Sequence, residues 1–191
     1  MVDIPTWKTN KSREVSLLQD EIASLDYSRI TTLGGYIVKA LKNGRVLAFL
    51  GNGGSAAESM HLTTEFVSKC SVDHPPLKAL CLNESQSSLT AIGNDYGFEF
   101  VFERLVRAHL GSGDVLIALS TSGTSNNVIK AVNAAVEIGA RVFLWTGSNE
   151  CRINGVEVWN CGLKQTPRIQ EVHLLWGHLL AEFVELHFKN T

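Results

Sequence analysis

Charge is scarce in this chain. Only 19% of its 191 residues are charged, against about 25% in ordinary soluble domains. A compact α/β domain with buried subunit contacts accounts for that shortage. Neither sign dominates, and the formal net charge is -2. That balance excludes broad electrostatic binding to nucleic acid or to a membrane surface, while a local pocket for a small anion stays open. Long apolar runs are missing too. Stretches such as Val46–Leu50 are strand-sized, far from the ~20 apolar residues of a membrane span. The opening MVDIPTWKTNKSREV has no apolar h-region, so no secretory signal is expected. Cys70, Cys81, Cys151 and Cys161 form no CxxC pair, which points to reduced thiols in a cytoplasmic protein. There is no low-complexity tract and no linker rich in Pro or Ser. The length suits one domain over residues 1–191, large enough to bury a core.

What is present is a regular alternation. Residues 1–10 are polar and mixed and read as a loose arm. Residues 11–42 carry apolar positions at three- and four-residue spacing, such as Leu17, Leu18, Ile22 and Leu25, then Ile30, Leu33, Ile37, Val38 and Leu41. This predicts two helices ended by Asn43-Gly44. From residue 43 onward short apolar strands alternate with helices. Strands are expected at Arg45–Leu50, Ala79–Leu82, Val115–Leu119, Arg141–Thr146 and Val156–Asn160. Helices are expected from the first loop to about Cys70, over Ser85–His109 with a break near Gly93–Gly97, to about Ile138, and over Thr166–Phe188. Such alternation means βαβ units and a parallel sheet. Ligands then bind at the carboxyl ends of the strands.

Two loops at that end resemble one another. RVLAFL-GNGGS-AAES and DVLIAL-STSGTS-NNVIKA are each strand, small polar loop, helix. Gly51, Gly53 and Gly54 let backbone approach a ligand and adopt positive φ. Ser55 stands where a helix begins. Ser120, Thr121, Ser122 and Ser125 place four hydroxyls around Gly123. Helix N-termini supply free N–H groups and a positive dipole end, so a pair of such loops suits a phosphorylated small molecule. Singly, each is also readable as ordinary turn and cap chemistry. Neither loop fits GxGxxG or the Walker pattern.

A second constellation carries acid–base and metal chemistry. His61 and Glu65 are four apart, hence on one helix face, and imidazole with carboxylate suits zinc. The last helix offers Gln170, Glu171, His173 and His178 among apolar residues. A surface His–Glu pair is the competing reading. Gln170 and His178 are eight residues apart, about 12 Å along a regular helix. They meet at one ion only through an irregular turn or a contribution from a neighbouring subunit, and a site near a subunit interface is expected. Ile92-Gly93-Asn94-Asp95-Tyr96-Gly97 reads as a break that frees side chains for a polyol, or as a plain helix–helix turn.

GNGGSAAESMH, LTAIGNDYGFEFVF, GDVLIALSTSGTSNNVIKA and RIQEVH followed by His178 together resemble the sugar isomerase (SIS) family over nearly the whole chain. The resemblance implies a three-layer αβα sandwich of flavodoxin-like type around a five-stranded parallel sheet, with N-terminal helices for oligomerisation. It implies a homotetramer with active sites between subunits and one Zn²⁺ per subunit. The implied reaction converts D-sedoheptulose 7-phosphate to D-glycero-D-manno-heptose 7-phosphate through an enediol, at the entry to nucleotide-heptose synthesis. By motif position, Asn52, Gly53, Gly54, Ser55, Glu65, Asn94, Asp95, Ser120, Thr121, Ser122, Ser125 and Gln170 would bind substrate. His61, Glu65, Gln170 and His178 would hold zinc, with Glu65 and His178 as the acid–base pair. Lys69 and Pro167 depart from the family's usual residues, as does the short stretch Gly147–Arg152. They put the exact sugar phosphate in question, and an isomerase of another phosphosugar is an alternative. A non-catalytic SIS adaptor of the DnaA initiator-associating type is another, but that type lacks the acidic and histidine groups kept here.

Overall fold

The computed structural model describes residues 3–189. Among these, the elements run α1 (Ile4–Ala23), α2 (Tyr27–Lys42), β1 (Leu47–Gly51), α3 (Gly54–Val67), β2 (Ala79–Cys81), α4 (Gln86–Tyr96), α5 (Val101–His109), β3 (Val115–Leu119), α6 (Asn126–Glu137), β4 (Arg141–Thr146), β5 (Val156–Asn160) and α7 (Thr166–Glu185). The strands form one parallel sheet in the order β2-β1-β3-β4-β5. In the centre, Phe49 lies opposite both Cys81 and Ile117. β1 and β3 are buried at every residue, so they read as unbroken apolar runs covered on both faces. β5, at an edge, is only partly buried, and its Glu157 pairs with Arg141 at 2.9 Å.

Two apolar layers separate the sheet from its helices. On one face Phe49, Ile117, Phe143 and Trp159 meet Ile37 of α2, Leu62 and Phe66 of α3, and Trp176 and Leu180 of α7. On the other, Leu50, Leu116 and Leu144 meet Phe102 of α5 and Val128 and Val132 of α6. This is the expected αβα sandwich. The local chemistry matches it: Asp26 caps α2 by accepting from the Ser28 N–H at 2.9 Å, and Ile30, Leu33, Ile37 and Val38 form its buried stripe.

The structure departs from the sequence expectation at several element ends: β1 is Leu47–Gly51 rather than Arg45–Leu50, β2 stops at Cys81 rather than Leu82, and α7 stops at Glu185 rather than Phe188. The segment read as a loose arm is helical from Ile4, with Met1 and Val2 outside the described residues. Pro5 sits in the first turn, where its fixed φ suits a helix and its missing N–H costs nothing, and the Asp3 carboxylate accepts from the Thr6 hydroxyl. α3 ends at Val67 rather than near Cys70, and the amides of Cys70, Ser71 and Val72 donate to Glu185 instead of continuing the helix. The break expected near Gly93–Gly97 is present and falls at Gly97, whose φ of 100° ends α4, the helix running straight through Gly93, Asn94 and Asp95 before it. Among the described residues no helix is long and apolar enough to cross a membrane.

Candidate active site

β1 and β3 are neighbours, and the chain leaves them toward opposite halves of the sheet. Their carboxyl ends therefore form the switch point where open α/β sheets take ligands. The two small-residue loops meet there. Asn52 Nδ2 donates to Asn127 Oδ1 at 2.8 Å, and Asn127 Nδ2 donates back to Asn52 Oδ1 at 2.9 Å. This reciprocal amide pair ties the first loop to the start of α6. A cleft of about 340 Å³ opens beside it, lined by Asn52, Phe98, Glu99, Ser125, Asn126 and Asn127.

The three loop glycines serve different purposes. Only Gly53 has positive φ, at 54°. Gly51 is needed for close approach, since a Cβ there would lie 2.7 Å from the Ser55 carbonyl oxygen. Gly54 leaves room for Gln170, whose Nε2 would be 2.2 Å from an added Cβ. Ser55 is buried within the first turn of α3 rather than capping it, and its N–H donates to the Asn52 carbonyl at 2.9 Å. In the second loop Gly123, at φ 67°, turns the chain. Ser120 Oγ donates to Ser125 Oγ at 3.5 Å. Ser122 Oγ accepts from the Thr124 N–H and hydroxyl, both at 3.2 Å, and the Thr121 carbonyl accepts from Gly147 N–H. Ser125 holds the N-cap position of α6 without making a side-chain cap bond, so its hydroxyl faces a helix N-terminus with donors to spare. Asn94 donates to Asp95 Oδ1 at 2.8 Å on the exposed last turn of α4, just before the Phe98–Phe100 turn that lines the cleft.

The second constellation forms between α3 and α7. These helices lie side by side and parallel: Gly54 faces Gln170, Leu62 faces Gly177, and His61 faces His178. His61 Nε2 is 2.8 Å from His178 Nε2 and 3.5 Å from Glu65 Oε1. All three ligand atoms lie within 4.8 Å of one another. Donors around a tetrahedral zinc stand roughly 3.3 Å apart, given bonds near 2.0 Å. Two imidazole nitrogens and a carboxylate oxygen thus fit a divalent ion in both kind and spacing. Gln170, the fourth expected ligand, rests on Gly54 instead, at the other end of a regular α7. Of the two geometries by which it can join His178, the irregular turn is not present. Glu171 pairs with Arg168, and His173 is buried away from the cluster.

Two buried titratable groups sit on the same pair of helices. Burial pushes the Glu58 carboxyl up to about 7, with the nearby Ser55 hydroxyl only partly offsetting it, and neither carboxylate oxygen makes a hydrogen bond of normal length and angle. Burial drives His173 down to about 4, opposed by its contact with the Thr146 carbonyl. It packs 5.6 Å from Trp176 and 6.0 Å from Trp145, ring centre to ring centre. The two act oppositely on stability. His173 stays neutral when folded but takes a proton when unfolded, so its contribution is full above about pH 6.5 and is lost as pH falls toward 4. Glu58 stays protonated when folded, so its contribution is full below about 4.5 and is lost as pH rises through 7. Between pH 4.5 and 6.5 the slopes cancel. The metal-free protein is expected to melt at a nearly constant temperature across that window, whereas Glu58→Gln should lose stability steadily on acidification. Parallel melting profiles for the two proteins would contradict the assignment.

Asn127, Gly177 and Glu185 went unread in the sequence. Asn127 had a signal, since it falls on the buried stripe of α6 with Val128 and Ala131, where a polar residue needs a partner. Gly177 and Glu185 stand on the buried side of α7 and carry no motif that separates them from their neighbours.

A family model described as the SIS domain matches residues 12–147. A phosphoheptose isomerase of Aquifex aeolicus is 40% identical over 177 residues, 92% of this chain and 91% of that protein. One of Rhodospirillum rubrum is 43% identical over 160 residues, 82% of this chain and 84% of that protein. Among solved structures, a phosphoheptose isomerase from Neisseria gonorrhoeae superposes with a TM-score of 0.82 at 33% identity, covering 95% of this chain and 98% of that one. One from Francisella tularensis gives 0.87 at 25% identity, covering 97% and 100%.

Proposed function

The chain belongs to the SIS domain family and is an isomerase of sedoheptulose 7-phosphate, and we propose that His61, Glu65 and His178 carry its chemistry. The observation that supports this most is the convergence of those three side chains from two helices, 117 residues apart in sequence at the His61–His178 contact. The product is D-glycero-D-manno-heptose 7-phosphate, which feeds nucleotide-heptose synthesis in the cytoplasm.

Aldose–ketose exchange moves a proton between adjacent carbons and another between their oxygens. It needs a base for a weakly acidic C–H and an acid for the oxygen. Glu65, with its side chain only 14% exposed, takes the proton from C1 of the ketose and returns it to C2. His178 gives a proton to the carbonyl oxygen as the enediol forms and recovers one from the neighbouring hydroxyl as it collapses. A zinc ion held by His61, Glu65 and His178 would polarise the carbonyl and stabilise the enediolate. Gln170 would complete that set from a neighbouring subunit.

The remote phosphate belongs at the Ser120, Thr121, Ser122 and Ser125 loop, where hydroxyls and the α6 N-terminus offer donors. Asn52, Gly53, Gly54, Ser55, Asn94 and Asp95 would hold the polyol between the phosphate and the reacting carbons. Fixing both ends turns proton transfer into an intramolecular event.

A homotetramer is the assembly that suits this surface. α1 spans 20 residues and buries none of them, leaving Ile4, Trp7, Val15, Leu17 and Ile22 exposed. Large apolar side chains left bare along one mainly polar helix make it an interaction surface.

The test is NMR of sedoheptulose 7-phosphate incubated with zinc-replete protein in D₂O. The aldose 7-phosphate should accumulate, with deuterium at C2 to the extent that the base exchanges with solvent. No conversion by a zinc-bound protein, alongside turnover of another ketose phosphate, would replace the substrate. No turnover of any phosphosugar would favour the adaptor.

A further inference from the structure

The end of α7 carries a carboxylate whose environment the reaction does not explain. Glu185 is 1% exposed. Its Oε2 accepts from the N–H groups of Cys70 and Ser71, both at 3.1 Å. Its Oε1 accepts from Ser71 at 3.0 Å and from Val72 at 2.9 Å. His74 Nε2 stands 4.0 Å away. One turn earlier, the Ser71 hydroxyl donates to Glu182 at 3.3 Å. Three consecutive amides just past the end of α3 are thus gathered by one side chain of α7.

We propose that Glu185 is a positioning residue for the His61, Glu65 and His178 cluster, its carboxylate locking the axial register of α3 against α7. The inference rests on the metal reading above. Two parallel helices touching along small residues can slide past one another. Gly54 against Gln170 and Gly177 against Leu62 hold them close, but apolar and steric contacts resist sliding only weakly. Directional, charge-assisted bonds to three amides do resist it. The clamp lies beyond His178 at the end of α7 and a few residues past the end of α3, so a slip at Glu185 is carried along rigid helix to His178 and through the short Ser68–Lys69 connection to Glu65. Metal donors tolerate displacements of only about 0.2 Å. Cys70 adds a local link. Its amide is held by Glu185, while its thiol lies beside Glu65.

The competing account is that Glu185 merely satisfies amides that α3 leaves unpaired. Glu185→Gln separates the two, because it keeps the volume but turns an N–H₂ toward donors. Val132→Ala serves as the control, a buried truncation on α6 across the sheet, which destabilises without touching the clamp. Cobalt affinity is read by visible absorbance, and the ring cross-peaks of His61 and His178 are read by NMR in metal-free protein. Glu185→Gln should bind cobalt some 10- to 100-fold more weakly, with both histidine rings shifted. Its kcat should fall while KM for the sugar phosphate stays within about twofold, since the phosphate loops lie elsewhere. Glu185→Asp, which keeps the charge but withdraws it by one methylene, should fall between; it also decides the matter if Glu185→Gln does not fold. Wild-type cobalt affinity and unshifted rings in the Glu185 variants, or equal effects in Val132→Ala, overturn the proposal. If wild-type protein binds no cobalt, the metal reading fails by itself, and the histidine rings of the metal-free variants still decide whether Glu185 sets the cluster.

Discussion

Glu65→Gln is expected to abolish measurable turnover while leaving a folded protein. Glutamine matches glutamate in volume and reach, so the partly buried site beside His61 is refilled without a cavity. What disappears is the negative charge and the lone pair that accepts the substrate proton. General base catalysis alone is worth roughly 10²–10⁴ in rate. The same change removes the one anionic member of the proposed His61, Glu65 and His178 ligand set among the described residues, so the loss should sit at the upper end of that range. Melting should stay within a few degrees of wild type. Metal content by mass spectrometry separates the two causes: a variant that keeps its metal and is still inactive has lost its base. A rate within tenfold of wild type would refute the assignment of Glu65 as base.

Gly177→Ala should be nearly as damaging, by a different route. A Cβ there would lie 2.2 Å from Leu62 Cδ2, 2.5 Å from Cδ1 and 2.9 Å from Cγ. Leu62 is fully buried in the layer between α3, α7 and the sheet. The helices must part, and overpacking of this kind costs about 1–3 kcal/mol. In a domain of this size that is a melting shift of about 2–12 °C. His61 and Leu62 are adjacent, as are Gly177 and His178, so separation of the helices pulls the two imidazoles apart. Metal affinity should therefore drop more than stability implies. Adding Leu62→Val to Gly177→Ala should restore part of both. A double variant no better than the single one would mean that the clash is not the cause.

These contacts mark the border of what the sequence discloses. β3, β4 and β5 span the residues expected of them; for β3 and the centre of β4 the reason is that strands buried on both faces need uninterrupted apolar residues, whereas β5, on the edge, tolerates Glu157 and Asn160. The two ligand loops are legible for a related reason, since few sequences other than a strand-to-helix turn tolerate GNGGS or STSGTS. His61 with Glu65 is legible because four-residue spacing on a helix is geometry. The partner face is not. That His178 meets His61 depends on α3 and α7 being neighbours in parallel, and no local pattern encodes which two helices of a layer touch. The glycines illustrate the same limit. Gly93 looks like a helix breaker, yet α4 absorbs it and stops at Gly97, where the tertiary path requires positive φ. Gly51 looks like a residue chosen for backbone freedom but is kept for its missing Cβ. The N-terminal ten residues were expected to be loose because they are polar, but α1 needs no apolar stripe on its own chain.

The placement of α7 has a consequence for the chain as it leaves the ribosome. β1 and α3 emerge early, yet the face they share with α2 is closed only by Trp176, Leu180 and Val184 of the final helix. Throughout synthesis that face stays uncovered, with Phe49, Leu62 and Phe66 awaiting a partner more than a hundred residues downstream. Nascent chains are then sticky for the whole of elongation, and any that terminate early cannot close this layer. The same delay touches the proposed chemistry. A product truncated before α7 has neither His178 nor Glu185, so on the proposed assignment it lacks both a member of the His61, Glu65 and His178 cluster and the clamp that positions it.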